Sequence, residues 1–145
     1  MKHALIIAAA SLAAIFIHGY QFAVSDQEIF IPYILKWQNP SLFPTDLLFN
    51  QFSAKASIFY PIYGYVIRFV GIQTAFFISY LLFQLFFFHA IYKLSFTLLR
   101  DKNLAYVSLL LFLLPKFIGG TATLTFDNFF GYRSLGQIFL INYLS

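Results

Sequence analysis

Twenty consecutive residues, Gln73 to Tyr92, contain no Asp, Glu, Lys or Arg and are dense in Phe. As a helix this run covers about 30 Å, the thickness of a bilayer's hydrocarbon core. A small soluble domain has too much surface to leave such a chain so poorly charged. The bias is general. Of 145 residues, 61% are hydrophobic and 10% are Asp, Glu, Lys or Arg, against roughly a quarter charged in an ordinary soluble domain. A soluble globular domain and a disordered tail are excluded. The net charge of +4 rests on nine scattered basic residues. They form no run or stripe, so nucleic acid is not the partner and membrane lipid is. The absence of Cys excludes a disulfide framework, a zinc finger and a thiol catalyst.

The pattern predicts an all-α, polytopic transmembrane protein with short juxtamembrane helices in its first outer loop. Residues 1–145 read as one membrane domain. Spans are expected at about 4–22, 73–92, 104–118 and 134–145, at roughly 20 residues per crossing. The first run has an alternative as a signal peptide, because Ala23-Val24-Ser25 places small residues at a possible cleavage site. The apolar end, Leu135 to Leu144, carries no basic flank, and the chain reads as the N-terminal fragment of a longer protein. Residues 25–57 are the most polar part of the chain and hold three prolines, Pro32, Pro40 and Pro44. Short helices are expected over Glu28–Trp37, with apolar Ile29, Ile31, Ile34 and Leu35, and over Thr45–Phe52. Residues 58–70 are apolar but carry Pro61, Gly64 and Arg68. They form either an interfacial helix or a short tilted span.

Charge sets the orientation. The 25–57 loop has a net charge of −1 and the 93–102 connection +2. The positive-inside rule puts Lys2, His3 and 93–102 in the cytoplasm, and the loops 25–57 and 119–133 outside. This layout requires 58–70 not to be an independent crossing.

Ionisable groups near a membrane each need a reason. Asp26-Gln27-Glu28 follows the first span. A carboxylate there suits proton transfer to or from a hydroxyl or amine; the plainer role is an acidic cap on the helix that follows. Lys55 and Arg68 flank Tyr60-Pro61 and could meet a phosphate; ordinary snorkelling is the alternative. Asp127 and Arg133 could add a second carboxylate and phosphate contact, or simply pair locally. His18 and His89 are lone histidines in apolar runs, with helix contacts as their expected role. No metal-ligand set is read. No P-loop, dinucleotide fingerprint, HExxH or GxSxG is present.

The order of parts resembles the N-terminal region of GT-C glycosyltransferases. These include the dolichyl-phosphate-mannose-protein mannosyltransferases and the bacterial lipid A aminoarabinose transferases. The residues carrying the resemblance are Asp26-Gln27-Glu28, Lys55 before Ile58-Phe59-Tyr60-Pro61-Ile62-Tyr63, Phe69-Val70-Gly71, and Tyr92-Lys93-Leu94 through Arg100. The family's Asp-Glu pair is Asp26-Gln27 here, and its His-Pro-Pro is Phe59-Tyr60-Pro61. Pro115-Lys116-Phe117, Gly119-Gly120 and Arg133-Ser134-Leu135 also look like a stretch of uncharacterised bacterial membrane proteins.

The resemblance implies transfer of a sugar from a polyprenyl-phosphate donor on the outer face of a bacterial cytoplasmic membrane. Asp26 takes the position of the family's catalytic carboxylate. Glu28 would support it or help hold a divalent metal ion. Lys55 falls where a donor-phosphate contact is expected, and Asp127 and Arg133 match in lying in the next outer loop; with Arg68, taken from its own position beside Tyr60-Pro61, they are the candidate substrate contacts. The alternative is a non-catalytic scaffold or a transporter-like component. Loss of substrate uptake in Arg68→Leu would favour the transporter.

Overall fold

The computed structural model describes residues 2–50, 57–114, 117–118, 123–124 and 132–144; at 48, 50, 117–118, 123–124 and 132–137 it describes the backbone alone. The architecture is helical. Helices α1 (Lys2–His18), α2 (Gln27–Gln38), α3 (Leu47–Asn50), α4 (Phe59–Val70), α5 (Ile72–Leu99), α6 (Lys102–Phe112) and α7 (Tyr132–Leu144) follow one another. A two-residue antiparallel bridge pairs β1 (Phe117–Ile118) with β2 (Thr123–Leu124), with Phe117 opposite Leu124 and Ile118 opposite Thr123. The chain divides into two compact units: Met1–Gln21 with Ser79–Ser145, and Phe22–Ile78.

In the first unit, α1 buries a stripe of mostly small residues, Ile7, Ala10, Ser11 and Ala14, at helical spacing. The Ser11 hydroxyl donates to the Ile7 carbonyl at 2.8 Å, which spares a buried polar group. The apolar sequence runs on to Phe22, but the helix ends at His18. Gly19 takes φ 76 and its N–H returns to the Ile15 carbonyl at 2.9 Å, a left-handed glycine stop. Helix α5 has 28 residues, about 42 Å, and its later part belongs to this unit. Among the described residues it is the one helix long and apolar enough to cross a membrane; α1 and α6 are apolar but shorter.

A turn at Arg100, φ 56, joins α5 to α6. The Asp101 carboxylate then caps α6, accepting from the Asn103 and Leu104 amides at 2.6 and 3.1 Å. The expected 104–118 span is helical only through Phe112, and its last two residues, Phe117 and Ile118, are extended. Pro115 lacks the N–H that a continuing helix requires.

Side-chain contacts set the helix directions. His3 of α1 lies 4.0 Å, centroid to centroid, from Tyr92 of α5 and 6.1 Å from Tyr106 of α6. At the other end of α1, the Tyr80 hydroxyl donates to the Gly19 carbonyl at 3.0 Å, and His18 Nε2 donates to the Leu113 carbonyl at 3.1 Å. Helix α1 therefore runs antiparallel to α5 and parallel to α6.

In the second unit, α2 and α4 lie side by side in parallel. Phe30 meets Phe59 at 6.0 Å, Tyr33 meets Tyr60 at 5.2 Å, and Trp37 covers Gly64. The inward face of α2 is Gln27, Phe30 and Ile34, while Ile29 is exposed. This differs from the expected Ile29–Ile31–Ile34–Leu35 stripe, because α4 packs on the side opened by Phe30 and Ile34. On α4, Phe59, Tyr63, Gly64 and Ile67 are buried, whereas Ile62, Tyr65, Val66 and Phe69 form a second, exposed apolar side. Aromatic contacts extend the core from Phe59 and Tyr63 to Phe76 and Phe22.

Candidate functional site

The head of α2 carries the acids singled out in the sequence. Ala23 and Ser25 both take positive φ, 60 and 53, so the chain coils tightly before the helix. The buried side chain of Gln27 holds that coil, accepting from the Ala23 amide at 2.8 Å. Asp26 occupies the cap position, but its backbone is already helical and its side chain makes no cap hydrogen bond. It is half-buried. Glu28 is exposed in the first turn, where a negative charge is favoured by the helix dipole. Residues two apart on a helix point to different sides. Asp26 and Glu28 therefore flank Gln27 rather than converge on one point.

Arg68 sits elsewhere. Its guanidinium lies 6.0 Å from the Trp37 ring centroid, a cation–π arrangement at the far end of α2 from Asp26. Eleven residues of helix separate those ends by about 16 Å. The Gln38 side chain donates to the Gly64 carbonyl at 2.6 Å beside it. Lys55 and Asp127 lie outside the described residues, and Arg133 is described only as backbone in α7. The structure thus brings Asp26 and Glu28 to one helix head and does not bring Arg68 to them.

Among the described residues, no three His, Cys, Asp or Glu side chains come together to hold a metal ion. Two diverging carboxylates do not make a divalent-metal site by themselves.

Two features were not anticipated from the residues. Gln84, near the middle of α5, is fully buried, and among the described residues neither atom of its carboxamide has a hydrogen-bond partner. A Gln in the interior of an uncharged Phe-rich run was its visible signal. The second is the meeting of His3 with Tyr92, Tyr106 and His89, the two imidazoles 6.3 Å apart. It joins residues about 90 positions apart, and no local pattern announces it.

No protein-family model, curated protein or solved structure matches the chain.

Proposed function

We propose that this is a multi-pass protein of the bacterial cytoplasmic membrane, with a cytoplasmic N-terminus. It acts as a GT-C-like glycosyltransferase, moving a sugar from a polyprenyl-phosphate donor on the outer face. The observation that carries this reading is the half-buried Asp26 carboxylate at the head of α2, presented by a tight coil directly after the apolar α1. A carboxylate within hydrogen-bond reach of a hydroxyl or amine can serve as its general base. Asp26 would accept the proton of the acceptor's hydroxyl or amine as that atom bonds to the sugar's anomeric carbon. The polyprenyl phosphate leaves with the electrons of the broken glycosyl bond. Lys55 and Arg133 would bind its charge, and the aromatic spans would house its tail. The test is Asp26→Asn in native membranes supplied with labelled lipid-linked sugar. Transfer is abolished at unchanged protein level; undiminished transfer removes the role.

A second reading, a non-catalytic membrane scaffold, is favoured by the α2–α4 pair. Arg68 on Trp37 and Gln38 on Gly64 fasten two helices together and leave Arg68 far from Asp26. On this reading Asp26→Asn is silent, whereas Gly64→Ala disrupts the module.

A further inference from the structure

Four exposed cations gather at one end of the α1–α5–α6 group. Lys2 precedes His3, and Lys93 follows Tyr92. Lys102 stands one turn before Tyr106, on the same face of α6. Arg100 stands in the turn that follows α5, and within α5 the Tyr92 and Phe96 rings stack 6.2 Å apart. Beneath the cations, His3, Tyr92 and Tyr106 close into a knot. The Tyr106 hydroxyl is 3.5 Å from His3 Nδ1, and the Tyr92 and Tyr106 rings are 5.2 Å apart. The carboxylate at this end, Asp101, is committed to the α6 amides. Among the described residues no ion pair joins it to any of the four cations.

We propose that this end is a docking surface for the headgroups of anionic phospholipids. The inference rests on the membrane placement proposed above, and not on the transferase chemistry. Clustered Lys and Arg beside the ends of membrane helices attract an acidic leaflet, and tyrosines belong at headgroup depth. The spacing selects a lipid surface over a single bound phosphate. Lys93 stands about 9 Å from the end of α5 at Leu99, Arg100 follows in the turn, and Lys2 and Lys102 come from two further helices. One small anion cannot reach all four, whereas a leaflet can.

The experiment measures lipid retention by the full chain in mild detergent, read by native mass spectrometry and by thermal shift. Phosphatidylglycerol, phosphatidylcholine and inorganic phosphate are added in separate arms. The expected result is retention of phosphatidylglycerol with a raised Tm, an effect lost in high salt and absent with phosphatidylcholine. The variant Lys2→Gln/Lys93→Gln/Arg100→Gln/Lys102→Gln loses at least tenfold of that retention while Trp37 emission is unchanged. Equal retention of the two lipids, or an unaltered variant, overturns the proposal. An equal shift from inorganic phosphate alone also overturns it, in favour of a free-anion site. Should the fourfold variant misfold, Lys93→Glu alone must still weaken phosphatidylglycerol retention. Release of the native protein by carbonate washing refutes the membrane placement itself, a result distinct from failure of lipid selectivity in a protein that stays embedded.

Discussion

At the scale of single residues, the most exacting position is Gly64. A Cβ placed there collides with Cε3 of Trp37 and comes within 3.0 Å of Cζ3. Arg68, one turn further along α4, lies 6.0 Å from the centroid of the same indole, so the ring must shift against two α4 residues to admit a methyl group. Gly64→Ala is therefore expected to destabilise the α2–α4 pair by about 1–3 kcal/mol, the usual cost of overpacking. Trp37 is the chain's single Trp, so a red shift of its emission and a lower unfolding midpoint check this directly. Tyr33 supplies a second test. Burial, and then the Asp46 carboxylate, push its phenol above the usual tyrosine value. The fold favours the neutral phenol, so its contribution is fully present below pH 10 and is lost as pH rises through the folded value. An ultraviolet titration should show a late-ionising tyrosine that disappears in Tyr33→Phe and ionises earlier in Asp46→Asn. Neither position was legible as special in the sequence. Gly64 matters only because α2 brings an indole to it, and sequence spacing does not reveal that partner. Asp26-Gln27-Glu28 is the converse case. Its charges drew the eye, yet Gln27 is the residue the fold buries.

At the scale of elements, helices were readable and their ends were not. Apolar runs do not mark where a helix stops, because the stop is a backbone event. Helix α1 ends at a glycine of positive φ inside a run that stays apolar, and α6 ends well short of Ile118. One start is set by a side chain. Asp101 caps α6 through two amides, and Asp101→Ala should cost about 1 kcal/mol, read as a lower Tm. Within α5, the buried Gln84 amide has no hydrogen-bond partner among the described residues. Leaving such a group unbonded costs about 1–3 kcal/mol. Gln84→Leu should therefore raise Tm, its side chain being of similar volume and free of polar atoms. A lower Tm would mean that the amide is satisfied by a partner it reaches in the native protein.

At the scale of the whole molecule, the membrane reading turns on α4. Its 12 residues reach about 18 Å, short of a bilayer core of about 30 Å. It is apolar on two sides, one against α2 and one exposed, as a helix lying in the interface would be. If α4 does not cross, α5 carries the chain inward, and the cations at 93–102 fall on the cytoplasmic side as the positive-inside rule requires. If α4 crosses, the same cations fall outside. The chain has no Cys, so single cysteines report without a background. Glu28→Cys and Lys102→Cys both replace exposed residues. A membrane-impermeant maleimide applied to intact cells should label the first and reach the second only after permeabilisation. Labelling of both from outside would make α4 a true crossing and reverse the orientation of α5. Labelling of neither from outside would put the 25–57 loop in the cytoplasm, and no donor on the outer face could then meet Asp26.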